Sequence, residues 1–320
     1  WVASGSGLFW FRQDGAEWEQ LGHALAEQEL TCIDASNGTV IVGGVDGVMR
    51  SLDGGATWQA ADDGLSVRHA RWVATQPAVP GVVLLGTEPA AIFRSGNYGA
   101  SWTNCPEIAA LRKAGRWFLP YSPESGCIRG LALHGERAYA AAEVGGALRS
   151  DDAGRTWRLT EGSQGKAQFE EPPPQHIHPD VHSILTHPAS ADFVYAPTGG
   201  GFYLSRDGGK TWELRYECYC RAVWVDPADP DHLMLGPADD VDANGRIEQT
   251  RDGGLTWEVA SVGLKVPWRR HMVERFTQVR GGLLAVLSNG DVLFADSDSL
   301  EWRPILEDVP DVRAIAVSGQ

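Results

Sequence analysis

One eight-residue pattern recurs along this chain: Ser or Thr, any residue, Asp or Asn, any residue, Gly, any residue, Ser or Thr, and Trp. It reads Ser51-Leu-Asp53-Gly-Gly55-Ala-Thr57-Trp58, then Ser95 to Trp102 with Asn97 in place of Asp. It returns as Ser150 to Trp157, Ser205 to Trp212 and Thr250 to Trp257. Two eroded copies end at Trp18 and Trp302, so seven tryptophans follow one another at intervals of 40, 44, 55, 55, 45 and 45 residues. Self-similarity at a fixed period of this length marks a repeat architecture. The chemistry of the motif is local. Asp or Asn with Gly makes a tight turn in which the side chain accepts backbone N–H bonds and Gly takes φ > 0. The hydroxyls bond across the turn and the indole covers it. These aspartates are therefore read as corner-builders rather than catalysts.

Upstream of each box the same order of segments repeats. An apolar run (Ile128–Leu133, Ala222–Val225) is followed by a turn and a second run (Val82–Gly86, Ala138–Ala142, Phe193–Ala196). A third run (Ala91–Arg94, Ala147–Arg149) ends in the box, and a fourth strand starts at the Trp. Four short strands per 40–55 residues is a propeller pattern. The expected fold is all-β: a single seven-bladed β-propeller of four-stranded antiparallel blades over 1–320. The expected blades are 1–22 plus 312–320, 28–62, 68–106, 127–162, 180–216, 219–260 and 272–306. The chain opens on what should be a second strand, Trp1-Val-Ala-Ser4, and ends on an innermost-strand pattern, Val312-Arg-Ala-Ile-Ala-Val317. Pairing the two closes the ring and removes the exposed edges an open sheet would carry.

Composition narrows the function classes. The net charge of −15 argues against a general nucleic-acid or anionic-membrane binder, and no apolar run approaches a membrane span. No secretory apolar segment stands at the start. The cations are 23 Arg against 4 Lys, which suits bidentate recognition of carboxylate or phosphate and also fits an Arg-rich genome. Five cysteines, Cys32, Cys105, Cys127, Cys218 and Cys220, contain no CxxC pair. A reducing, cytoplasmic setting is the simpler expectation, with Cys105–Cys127 as the pair to form in an exported protein.

The boxes, with the Gly-Thr-Glu-Pro-Ala-Ala (86–91) and Glu-Val-Gly-Gly (143–146) stretches, resemble the BNR/Asp-box propellers along essentially the whole chain. That group includes sialidases, sortilin-type domains, xyloglucanases and photosystem II assembly-factor-like proteins. The resemblance implies the fold and leaves function open, because one fold hosts many chemistries. Sialidases use six blades and an Arg-Ile-Pro segment that this sequence lacks, so a true sialidase is not implied. The assembly-factor resemblance implies a non-catalytic, partner-binding scaffold.

Function is expected on the face opposite the boxes, where loops lead into the innermost strands. Aligned at their starts, those strands give Thr31, Arg71, Arg129, His182, Arg221, Arg275 and Arg313 in one column. Such a ring of cations repels itself unless anions or acidic neighbours neutralise it. It reads either as a site for an anionic small molecule or acidic partner group, or as a set of clamps to Glu29, Glu88, Glu143 and Glu274. His176, His178 and His182 lie within seven residues and are candidate ligands for a divalent metal, with His178 and His182 also candidate acid/base groups. No resident cofactor is expected. Glu88 and Glu143, at matching places in adjacent blades, are candidate paired carboxylates of an Asp-box glycoside hydrolase. Long insertions at 105–127, 161–180 and 260–274 carry Trp117, Phe118, Tyr121, Phe169 and Trp268 among charges. Trp268 is the aromatic expected at a ligand pocket. The leading expectation is a propeller binding an anion at the channel mouth, with hydrolase or lyase chemistry open. A protein-interaction scaffold is the alternative.

Overall fold

The computed structural model describes every residue except 16, 37, 77, 120–125, 167–170, 298, 319 and 320. Tyr121 and Phe169 therefore lie outside the described residues. Seven four-stranded antiparallel sheets form the blades of a propeller. The innermost strands, from blade 1 to blade 7, are Val312–Ile315, Leu30–Ser36, Ala70–Thr75, Cys127–His134, Leu185–His187, Tyr219–Asp226 and Val273–Val279. Among the described residues no helix is long and apolar enough to cross a membrane.

The ring closes as the sequence predicts. Val312–Ile315 takes the innermost place of blade 1, pairing Val2 with Ile315 and Ala3 with Ala314. The N-terminal ammonium donates to the Ala316 carbonyl at 2.9 Å, and Ala316 N–H returns a bond to the Trp1 carbonyl at 3.0 Å. Ala3 and Ala314 are fully buried beneath this seam. Between neighbouring blades the core is apolar; Leu84, Ile92, Ile128, Leu131, Leu148 and Trp157 fill the seam of blades 3 and 4. Near the axis the approach is too close for side chains on both partners. A Cβ on Gly86 would stand 2.5 Å from Ile128 of the next blade, and one on Gly236 would stand 2.5 Å from Val273.

The boxes have the predicted geometry. In blade 2 the Ser51 hydroxyl donates to Asp53 (2.7 Å) and accepts from Gly55 N–H (2.8 Å), where Gly55 has φ +91. Asp53 accepts from the Thr57 N–H (2.9 Å) and the Thr57 hydroxyl (2.7 Å). These bonds, led by the Thr57 hydroxyl, hold the Asp53 carboxyl at a pKa of about 2, well below the usual carboxylate range. Asn97 reproduces the pattern as an amide: its oxygen accepts from Ser95 and from Ser101 N–H, and its nitrogen donates to the Ser101 hydroxyl. The indoles do more than cap their own turns. Trp102 and Trp302 each donate at 2.8 Å to a carbonyl at the end of the preceding blade, Ala61 and Ala260.

A further regularity positions the site. The pairing of innermost and second strands slips by one residue near the start of every innermost strand. The extra residue is Thr31, Arg71, Arg129, Glu274 and Arg313 in blades 2, 3, 4, 7 and 1. In blade 6 it falls at Arg221–Ala222, and in blade 5 between the Val181–Thr198 bridge and Leu185. A bulge leaves one residue out of the ladder and re-aims its side chain.

One insertion differs from expectation. Residues Pro106–Gly115 form an α-helix, with Pro at its first turn and Ile108 buried against Trp117 and Trp157. Cys105 and Cys127, which bracket it, are buried free thiols, as are Cys32 and Cys220; Cys218 is free and partly buried. The exported-form disulfide is thus not made. Burial pushes the Cys105 and Cys127 thiols up to about 12.

Two outcomes follow from this fold. Removing residues 312–320 exposes the edge of Val2–Ser4, and size-exclusion chromatography should show aggregation or a melting temperature lowered by at least ten degrees. Unchanged melting and monodispersity would refute the closure. Box carboxylates with depressed pKa stabilise the fold above the unfolded Asp value, about 3.9, and that contribution is lost as pH falls towards about 2. Asp53→Asn, which copies the amide that Asn97 already supplies in blade 3, should therefore flatten the stability profile between those limits in melts recorded against pH.

Candidate functional site at the channel mouth

Each innermost strand starts at the mouth and runs towards the box face, so the bulge residues crowd the mouth. Thr31, Arg71, Arg129, Glu274, Arg275 and Arg313 line a cavity of about 380 Å³ there. Glu274 and Arg275 also line the larger cavity of about 540 Å³ that continues along the channel. They are the level at which the two spaces meet.

The cation ring is mostly neutralised, as the clamp reading expects. Arg71 lies 3.6 Å from Glu88. Arg129 lies 3.3 Å from Glu143 and 3.2 Å from Glu274. Arg221 is bonded to Glu274 and lies 3.6 Å from Asp242. Arg313 pairs with Glu29 at 2.8 Å and Asp311 at 2.7 Å. Glu274 is central to this set. It reaches from blade 7 to its neighbour Arg221 on blade 6 and across the lumen to Arg129 on blade 4. Burial alone would raise its pKa, but Arg129 and Arg221 hold it below the usual glutamate range. The same carboxylate and Glu143 raise the pKa of Arg129 against the effect of its own burial.

The column of seven needs one correction. In blade 7 the bulge residue is Glu274, and Arg275 stands one place further on. The sequence Val-Glu-Arg-Phe offers two adjacent charges, and only the slipped register decides which enters the column. The displaced Arg275 crosses the lumen instead and lies over the Trp72 ring of blade 3, 4.1 Å from its centroid. Among the described residues it has no hydrogen bond and no acidic group within ion-pair distance, alone among the five mouth arginines. Burial, only partly offset by Cys32 and Glu274, pulls its pKa down to about 10, which still leaves it a cation at neutral pH.

The histidine cluster divides. His176 Nδ1 bonds the Pro174 carbonyl and His178 Nδ1 accepts from Asp180 N–H, and neither ring belongs to the group of ligand atoms around His182. Burial lowers the His178 pKa. His182 is buried, and its Nδ1 lies 2.8 Å from the Cys220 carbonyl while its Nε2 lies 3.1 Å from Asp180 Oδ2. The atoms gathered with His182 are carboxylates of Glu143 and Asp180, all within 4.8 Å of one another. Asp180 carries no sequence signal beyond its place in the histidine run. Glu88 and Glu143 are both at the mouth, but each faces an arginine. Trp268 is not at the mouth cavity. It is bonded through its backbone to Gly245 and packs on the core between blades 6 and 7. Trp117 is likewise buried, donating to Gly165 at 2.8 Å.

With this geometry in view, comparison with known proteins bears on the fold. The BNR/Asp-box repeat family matches residues 203–214, the third strand and box of blade 5. No curated protein matches the chain significantly. Among solved structures, the GH74 xyloglucanase from Xanthomonas campestris is 18% identical with a TM-score of 0.66, over 96% of this chain and 46% of that one. An ancestral GH74 enzyme is 17% identical with a TM-score of 0.63, over 86% of this chain and 38% of that one. This chain therefore spans less than half the length of either enzyme. YCF48 bound to D1 peptide is 15% identical with a TM-score of 0.63, over 93% of this chain and 88% of that one. At these identities the shared property is the propeller fold.

Glu274→Gln removes the shared counter-charge of two arginines. Taking away one member of a buried ion cluster costs about 3–5 kcal/mol, to be read from urea unfolding at neutral pH. Because the folded-state pKa of Glu274 is depressed, the difference from wild type should shrink as pH falls below the glutamate range. A variant within about 0.5 kcal/mol of wild type, the scatter of surface substitutions, would contradict the central role of this carboxylate.

Proposed function

We propose that this propeller binds an anionic group, a carboxylate or phosphate carried by a small molecule or an acidic partner, in the mouth cavity, with Arg275 as the anchor. The observation that supports this most is the unmatched charge of Arg275. Four mouth arginines have acidic neighbours; this one has an aromatic ring and open space. A partly buried cation without a counter-charge is unfavourable, and an anion in the adjoining cavity relieves it. The contact with Trp72 engages the guanidinium through a ring face rather than through hydrogen bonds, so its N–H groups are left for a bidentate acceptor. Arg71, whose 3.6 Å contact with Glu88 is longer than a hydrogen bond, is the second donor.

The reading is one of binding rather than turnover. A glycosidase pair needs one carboxyl free to carry a proton and another free to attack or to activate water. Glu88 and Glu143 are instead each held beside an arginine. Fold likeness to GH74 enzymes does not bring their chemistry to these residues. The anionic group can equally be part of a peptide, as an acidic partner would present it.

A thermal-shift series with phosphate or citrate, against sodium chloride at matched ionic strength, tests this. Ligand at a hundred times Kd stabilises by about 2.7 kcal/mol, a shift of several degrees. The wild type should show it, and Arg275→Met, which keeps the contact with Trp72, should lose it. No shift in the wild type, or an equal shift in the variant, would overturn the proposal.

A further inference from the structure

Glu143 ends the second strand of blade 4, while Asp180 and His182 lie on the segment entering blade 5, so two blades bring the three side chains together. The side chain of His182 is 1% exposed, that of Glu143 8% and that of Asp180 15%. The Cys220 carbonyl, 2.8 Å from Nδ1, can only accept, so Nδ1 carries the hydrogen. In the neutral ring that leaves the Nε2 lone pair directed at Asp180 Oδ2, 3.1 Å away. The Tyr219 hydroxyl, 3.4 Å from the same nitrogen, offers it a proton at long range, and the closer approach of lone pair and carboxylate is relieved by a second proton on the ring or by a bound cation.

Two further observations favour a cation. Asp180 Oδ1 is shielded from solvent and has no hydrogen-bond partner among the described residues, so the carboxylate has unused donor capacity inside the cluster. An imidazole whose Nδ1–H is fixed by a backbone carbonyl is also the arrangement that orients Nε2 towards a metal. The aspartate is itself held in place: Gly199 N–H donates to its carbonyl at 2.9 Å, and a Cβ on Gly199 would stand 2.4 Å from its Oδ2. One nitrogen and two carboxylates suit zinc, manganese or iron; calcium needs six to eight oxygen ligands. Arg129 shares Glu143 and moderates the negative charge, so binding should be of moderate strength and should loosen that ion pair.

We propose that Glu143, Asp180 and His182 form a binding site for one divalent transition-metal ion in the wall of the mouth between blades 4 and 5. This inference stands apart from the anion reading, because it uses none of the contacts of Arg275.

Chelator-stripped protein titrated with zinc chloride by calorimetry, and with cobalt(II) followed by its visible absorption, tests the site. The wild type should bind one ion per chain. Asp180→Asn and Glu143→Gln should each weaken binding at least tenfold while keeping a cooperative melt, and the partly exposed His176→Ala should bind as wild type does. Asp180→Asn alters charge without altering volume, so a folded variant remains for comparison if replacement of the buried His182 fails to fold. No binding by the wild type at 100-fold molar excess of either metal would overturn the proposal. So would binding unchanged by Asp180→Asn and abolished by His176→Ala.

Discussion

A single extra residue near the start of every innermost strand sets the character of this propeller. Inside an unbroken ladder a large cation at the axis would compete with seven converging strands for space. The bulge takes one residue per blade out of register and aims it at the mouth. A ring of charges then becomes unavoidable, and its members must match. Glu274 meets that demand at the one blade where the bulge residue is acidic, serving Arg221 beside it and Arg129 across the lumen. The consequence is a wheel braced across its hub as well as around its rim.

The rim is built differently. Asp boxes are self-contained turns whose carboxylates or amides are satisfied within eight residues, so each of the five blades with an intact box carries its own corner. Trp102 and Trp302 extend two of these corners onto the preceding blade, and the last strand seals the circle. Together they give a rigid frame, and a rigid frame holds charged groups in place before a ligand arrives, which lowers the entropy cost of binding. The same rigidity explains how Arg275 can remain unmatched. Glu274, the acidic side chain next to it in the chain, is already committed to Arg129 and Arg221.

The architecture is legible in the sequence because its determinants are local. Box spacing yields seven blades, and Val312–Val317 has no unit of its own until it is joined to the first. The candidate site is legible only in outline. The arginine column and the acidic partners Glu29, Glu88, Glu143 and Glu274 are visible, and pairing between them is one of two readings. The position of Glu274 is hidden because adjacent Glu and Arg differ by one register step, and a bulge resets register without any sequence mark. Asp180 stands unmarked beside three histidines, although its carboxylate and Glu143 are what meet His182. Trp117 and Trp268 look like pocket aromatics among charges, yet both anchor their loops in the core. The helix at Pro106–Gly115 escapes the sequence reading because Pro reads as a loop signal rather than as a first-turn residue.

The proposed binding of an anion at the mouth thus turns on Arg275 being a cation without a counter-charge of its own. Crystals grown in selenate, with anomalous data collected at the selenium edge, address this directly. An anomalous peak is expected in the mouth cavity within hydrogen-bond reach of the Arg275 guanidinium, which stays over Trp72. A map without that peak, in which a carboxylate of the protein has closed on Arg275 instead, would contradict it.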